Sequence, residues 1–242
     1  ADARKLTGDR PRSRVSGVDR VHAGNTGLDV FGLNFPPGGN PAECCRFGAA
    51  RLNMKITDLP IQGARRIQPE AVQDERGAFA RLWCRDEFAQ AGLPADLAQT
   101  SASFNHLAGT LRGLHFTWPP SGEGKLVRCA RGAVFDVAVD VRCGSPHFGQ
   151  SVGVVLDDES HRQLWIPPGF AHGFCVLSDV ADFAYKCTSY YDPASDTGIR
   201  WNDPALGIDW PLAGLEPQLS AKDQQLPRLA DQRVDKLTAY EG

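Results

Sequence analysis

The sequence has little of what would place it in several large protein classes. It holds a single methionine, Met54, among 242 residues. No apolar run approaches the roughly 20 residues that a membrane-spanning helix needs, which argues against a membrane protein of that kind. A formal net charge of −3 sets up no field that would draw the chain to nucleic acid or to an anionic membrane. The seven cysteines are odd in number, none is spaced C-x-x-C, and Cys129, Cys175 and Cys187 fall inside apolar runs. That pattern reads as reduced, mostly buried thiols of a reducing compartment and not as a disulfide framework or a zinc ribbon. No basic-then-apolar leader opens the chain, so a cytoplasmic location is expected. Helical periodicity is scarce as well.

What is present divides at Met54. Residues 1–53 are rich in Arg, Gly, Pro and Asn, with few apolar positions at either helix or strand period. They are expected to be a disordered or non-native N-terminal extension. A regulatory or partner-binding tail is the alternative. Residues 54–242 are expected to form one domain.

In that second part, short strand-like runs recur about every ten residues between Gly/Pro turns. MKITDLP and IQGARRIQPE come first, then a polar turn at QDERG and a short amphipathic helix from Arg85 ending near Gly92. Two runs meet at Arg131-Gly132. In the second of them Phe135, Val137, Val139 and Val141 share one face, with Asp136 and Asp140 on the other. SVGVVL, RQLWIP, GFCVLS and VADFAYKCTSYY follow as strands. DPASDTGIRWNDPALGIDWP is extended and set with Pro and Trp, so it packs on something that its periodicity does not name. SAKDQQLPRLADQ allows a short helix broken at Pro227. The expected architecture is a β-sandwich or barrel.

The chemistry-bearing residues gather around Gly109–Asp140. His115 is flanked by Arg112 and followed by Lys125, and His172 and Tyr185 lie on later strands. A lone histidine is more often a satisfied core or turn residue, and a strand tyrosine usually finds one partner for its hydroxyl. Together they can also exchange protons across a cavity, with Lys125 meeting a developing oxyanion. Arg112 and His115 have opposite strand parity, so both point inward only if a bulge at Gly113 intervenes. Asp223 stands three residues after Ser220, as in a capping box, and a carboxylate there could also orient an imidazole. Pro168-Gly169-Phe170-Ala171-His172 is similar to the second half of a cupin metal motif. The H-x-H of the first half is missing from RGLHFTWPP, so no metal is expected.

The strings DERGAF, GTLRGLHF, GKLVRCARGAVFDVAVDVR, SPHFGQ, RQLWIPPGFAHGF, AYKCTSYYDP, GIRWNDPALGIDWP and LSAKD, spread from about Met54 to Gln232, resemble the dTDP-4-dehydrorhamnose 3,5-epimerase family. The resemblance implies a mostly β, cupin-type jelly roll (a double-stranded β-helix) with a few short helices. It implies a homodimer that needs neither metal nor cofactor and binds neither nucleic acid nor membrane. The implied substrate is a dTDP-linked 4-keto-6-deoxy sugar, epimerised at C3 and C5. By motif, His115 would be the base, Asp223 its orienting carboxylate, Tyr185 the acid on the other face and Lys125 the enolate stabiliser. His172 would line the pocket, Arg76 and Arg112 would contact the diphosphate, and Phe79 and Gln99 would lie near the nucleotide. Ala78, Arg81 and Ser101 stand where the family often has Phe, Glu and Asn, which bears on the substrate and not on the chemistry. Alternatives are an epimerase of one carbon only, a sugar-binding module without catalysis, and a metal-dependent cupin enzyme. Retention of His115, Lys125, Tyr185 and Asp223 opposes the second, and the missing H-x-H opposes the third.

Overall fold

A computed structural model describes residues 46–47, 50–51 and 53–241. The expectation for residues 1–53 therefore falls almost wholly outside the described residues. Within it, β1 (Arg46–Phe47) pairs antiparallel with β2 (Ala50–Arg51).

From Met54 the chain forms β3 (Met54–Asp58), β4 (Arg65–Pro69), β5 (Ala71–Asp74) and β6 (Gly77–Ala80). Helix α1 (Arg85–Gln90) follows, then β7 (Gln99–Asn105), β8 (Leu111–Thr117), β9 (Lys125–Arg131) and β10 (Ala133–Asp140). The later strands are β11 (Ser151–Asp157), β12 (Gln163–Ile166), β13 (Phe170–Val176), β14 (Ala181–Cys187) and β15 (Asp196–Gly198). A four-residue helix, α2 (Ala221–Gln224), comes near the end.

Ten of these strands and β15 make two antiparallel sheets, one in the order β11-β10-β13-β8-β15 and the other β3-β4-β12-β9-β14-β7. Sequence neighbours mostly lie in opposite sheets or are separated by another strand, which is the winding of a jelly roll. The β5–β6 hairpin stands apart from both sheets. The mostly β, cupin-type architecture read from the sequence is the one observed.

Alternation along the strands supplies three apolar layers. Val127, Cys129, Val134, Ala138, Leu164, Phe174 and Phe183 point between the sheets and form the central core. On the outer face of the six-stranded sheet, α1 buries Phe88 with Ile67, Leu126 and Trp165. On the outer face of the five-stranded sheet, Val137, Val139 and Val141 lie under Ile199, Leu206, Trp210 and Leu229 of the C-terminal segment. This settles what the Pro- and Trp-rich stretch packs on. It also means that β10 has no solvent face: Asp136 and Asp140 are fully buried on the side opposite the valines. Helix α1 ends at Gln90, with Ala91 as its C-cap and Gly92 at φ +69 just past it, close to the expected end near Gly92.

The five described cysteines are unpaired. Burial pushes the Cys129 thiol up to about 11 and the Cys187 thiol up to about 12, so both are held protonated. Among the described residues no helix is long and apolar enough to cross a membrane.

If the C-terminal segment is part of the core, Trp210 is one of its anchors. Its ring sits edge-on to Phe135 at 6.0 Å and its indole N–H donates to the Trp201 carbonyl at 2.9 Å. Trp210→Ala is expected to lower stability by about 3–5 kcal/mol in urea denaturation, the usual range for deleting a buried aromatic. A loss below about 1 kcal/mol would show that the segment merely drapes over the sheet.

Candidate active site

The opening between the two sheets holds a cavity of about 600 Å³. The five-stranded sheet contributes Arg112, His115 and Thr117 from β8 and His172 and Phe174 from β13. The six-stranded sheet faces them with Gln99, Ser101 and Ser103 from β7, Lys125 from β9, and Phe183 and Tyr185 from β14.

Arg112 and His115 reach the same cavity because β8 is bulged. Arg112 pairs with Phe174 and His115 with His172, so three steps on β8 oppose two on β13. Gly113 takes up the extra residue at φ +115, with its Cα packed against Gly173. A Cβ at Gly113 would stand 2.7 Å from the His172 carbonyl oxygen and 2.8 Å from the Gly173 Cα, so no other residue fits without moving backbone.

His115 Nε2 lies 2.6 Å from Asp223 Oδ1. The imidazole side chain is 31% exposed and the carboxylate 4%, so the pair presents the ring to the cavity and keeps the acid behind it. Asp223 is fixed from two sides: Ser220 caps α2 by accepting from the Asp223 N–H at 3.0 Å, and the Gly113 N–H reaches Oδ2 at 3.5 Å. The capping role and the imidazole-orienting role thus coexist, one through the backbone and one through the side chain. Burial alone would push the Asp223 carboxyl up. Hydrogen bonding and charge attraction from His115, with help from Ser220 and Gly113, outweigh this and hold it below its ordinary value of 3.8.

His172 is anchored in the same way. Its Nε2 lies 3.0 Å and 3.1 Å from the two oxygens of the fully buried Asp136, and its ring stacks on Phe183 with centroids 5.9 Å apart. Arg112 Nε donates to Asn105 Oδ1 at 2.9 Å, and the Asn105 amide is tied in turn to the Ala181 carbonyl. Lys125 Nζ is 3.0 Å from Glu123 Oε2. Tyr185 shares its strand face with the buried Phe183 and Cys187, and its hydroxyl has no hydrogen-bond partner among the described residues.

Seven of the nine residues singled out from sequence therefore come together: Gln99, Arg112, His115, Lys125, His172, Tyr185 and Asp223. Arg76 and Phe79 do not line the cavity. They sit on the exposed β5–β6 hairpin, where Arg76 pairs with Asp74 at 2.5 Å and Phe79 is 48% exposed. Of the three departures, Ser101 lines the cavity and Ala78 is exposed on the hairpin. Arg81 pairs with Glu87 at 3.0 Å, and the other Glu87 oxygen accepts from the Met54 N–H, so this arginine steadies the carboxylate that ties α1 to β3.

Sequence reasoning missed Glu123, Tyr191, Asp196 and Lys222, all at the cavity, and Asp136 behind it. Asp196 accepts from the Tyr191 hydroxyl at 3.1 Å and pairs with Lys222 at 2.6 Å. The hydrogen bond to Asp196 and the charge on that carboxylate raise the Tyr191 phenol above its ordinary range. The only sequence signal was adjacency, since Lys222 stands beside Asp223 and Tyr191 ends the SYY string. Among the described residues no cluster of three or more His, Cys, Asp or Glu is placed to hold a metal ion.

An acid–base cavity walled by the two sheets of a jelly roll places the chain among the cupin-type enzymes. The family model described as dTDP-4-dehydrorhamnose 3,5-epimerase matches residues 58–231, and the chain belongs to that family. A dTDP-4-dehydrorhamnose 3,5-epimerase of Salmonella typhimurium is 51% identical over 164 residues, covering 67% of this chain and 88% of the relative. A solved dTDP-6-deoxy-D-glucose-3,5-epimerase from Legionella pneumophila, in complex with dTDP-4-keto-L-rhamnose, is 46% identical with a TM-score of 0.75. It covers 78% of this chain and is itself covered completely. A 3'-monoepimerase from Streptomyces bikiniensis in complex with dTDP-quinovose is 38% identical with a TM-score of 0.71, covering 75% and 92% of the two chains.

The depressed Asp223 carboxyl has a consequence for acid stability. A carboxylate held below its unfolded value contributes stability that is present above the ordinary value and lost as pH falls through the folded one. Urea midpoints of wild type and Asp223→Asn should therefore differ most near neutrality and converge as pH drops below 3.8. A gap that stays constant across that range would mean that the pairing with His115 adds nothing to the fold.

Proposed function

We propose that this chain is a dTDP-4-dehydrorhamnose 3,5-epimerase, with residues 54–242 as its catalytic domain. The observation that carries the reading is that a buried-carboxylate-backed imidazole and a phenol with a free hydroxyl address one cavity from opposite sheets. Inversion beside a ketone needs that arrangement, because the proton leaves one face of the ring and returns to the other.

In a nucleotide-linked 4-keto-6-deoxy sugar, the hydrogens at C3 and C5 are acidified by the C4 carbonyl. His115 takes the proton, and the imidazolium so formed is stabilised by the ionised Asp223. The negative charge that moves onto the C4 oxygen is met by the Lys125 ammonium. Tyr185 gives its proton to the same carbon from the other side, and the site is reset when the imidazolium releases its proton to solvent and the phenolate takes one up. His172, held by Asp136, keeps the inner wall polar. Arg112, fixed by Asn105, offers its guanidinium to the diphosphate.

The β5–β6 hairpin supports a homodimer. The family resemblance assigns Arg76 and Phe79 to the nucleotide, yet both stand outside their own chain's cavity on an exposed hairpin. A second copy whose hairpin reaches into this cavity reconciles the two. Static light scattering is expected to return twice the 26.3 kDa chain mass, and a monomer that turns over at full rate would contradict the shared site. The unpaired, protonated thiols support a cytoplasmic setting.

A one-carbon epimerase is the second reading, since relatives named as a 3-epimerase and a 3'-monoepimerase share this scaffold at 44% and 38% identity. The test is incubation with dTDP-4-keto-6-deoxyglucose in D₂O, with deuterium read at C3 and C5 by NMR. Label at both carbons is expected, label at one would favour the second reading, and none would overturn both. His115→Ala should lose label at every position by roughly 10²–10⁴-fold. Tyr185→Phe should lose epimer to a similar degree while retaining part of the exchange, because the base remains.

A further inference from the structure

The turn between β8 and β9 carries a carboxylate that the proton-transfer scheme leaves without a task. Glu123 lies two residues before Lys125, in the loop that leads into β9, and both residues line the cavity. Glu123 Oε2 is 3.0 Å from Lys125 Nζ, and the side chains are only 11% and 16% exposed. Removing a charged pair this far from water is costly, and the attraction between the partners only partly offsets that cost.

The turn does not need the Glu123 side chain to hold its shape. The Glu123 N–H donates to Thr117 Oγ1 at 3.3 Å, the Gly124 N–H donates to Thr188 Oγ1 at 2.8 Å, and the Thr188 N–H returns to the Gly124 carbonyl at 3.0 Å. Gly124 also packs against Trp165, where a Cβ would stand 2.8 Å from the indole. Two threonines and an aromatic plate thus fix the backbone on both flanks. Cys187, the β14 residue paired with Lys125, borders the pair with a thiol that burial, reinforced by the Glu123 charge, keeps neutral. No second anion from Cys187 competes for the ammonium.

We infer that Glu123 is a positioning residue that aims the Lys125 ammonium at the oxygen of the 4-keto group. A lysine ends in a compact charge on a stem of four rotatable carbons, and a charge that wanders stabilises a developing oxyanion poorly. A rigid carboxylate behind the ammonium removes that freedom before substrate arrives. The inference rests on the epimerase reading above and adds a residue to it.

The test is a double-mutant cycle on the full chain with Glu123→Gln, Lys125→Met and the double variant, scored by deuterium wash-in and by kcat and KM. Glu123→Gln is expected to lower kcat and wash-in by about 10–100-fold, as small misplacements at reacting centres do, with a smaller change in KM. With Lys125 already replaced, adding Glu123→Gln should cost nothing further. Glu123→Asp, which keeps the charge and withdraws it by one methylene, should recover part of the loss. It also carries the same cycle if Glu123→Gln does not fold. Losses that multiply in the double variant, a Glu123→Gln enzyme as fast as wild type or faster, or a loss confined to KM would each overturn the assignment. Absence of wash-in by the wild-type protein would instead overturn the epimerase reading itself.

Discussion

The close approach of Gly113 and Gly173 is the constraint on which the site depends. With a Cβ on either residue, backbone atoms less than 3 Å away would have to move. Because neither has one, β8 can carry an extra residue and still pair with β13. Arg112 and His115 then emerge on the same side of the sheet, and Leu111, Leu114 and Phe116 remain on the outer side under the C-terminal segment. A regular strand would have sent either the guanidinium or the imidazole into the outer apolar layer. The same bulge exposes the Gly113 N–H toward Asp223, so the irregularity that places the imidazole also helps to hold its carboxylate.

The burial pattern follows a similar economy of position. Over its central strands each sheet has both faces covered, one against the other sheet and one against α1 or the C-terminal segment, while β7 and β11 keep an exposed outer face. Charged groups inside the sandwich are consequently paired. Asp136 meets His172, Asp140 meets Arg142 and Ser145, and Asp223 meets His115. The cavity is a gap in this packing where the paired groups have one side left open.

Much of this is visible in the sequence, and the reasons differ by element. Strand positions are legible from period-two alternation and Gly/Pro punctuation, which are local. The inward aim of Tyr185 follows from its parity with Phe183 and Cys187. The bulge at Gly113 is legible only as a requirement, because opposite parity at Arg112 and His115 demanded it without showing that backbone could approach so closely. The Asp136–His172 contact joins two strands by a pairing that no local pattern encodes. Its acidic partner looked like the polar side of a half-exposed strand, since nothing in β10 itself reveals that the outer face would be covered. Glu123 and Asp196 were hidden for another reason. Turn carboxylates are common, and only the three-dimensional neighbourhood separates one that faces water from one that faces a lysine. Arg76 and Phe79 are the reverse, with a motif that assigns them to a ligand and a fold that keeps them away from it in a single chain.

Asp223 arrives on the strip that also seals the outer face of the five-stranded sheet, well after the last strand of either sheet. During synthesis the two sheets can close and the cavity can take shape while this strip is still inside the ribosome. The imidazole would then stand in a formed pocket without its carboxylate, next to a bare apolar sheet face. The strip that covers this face is thus also the strip that arms the base, with Asp223 lying between Trp210 and Leu229 of the same apolar layer.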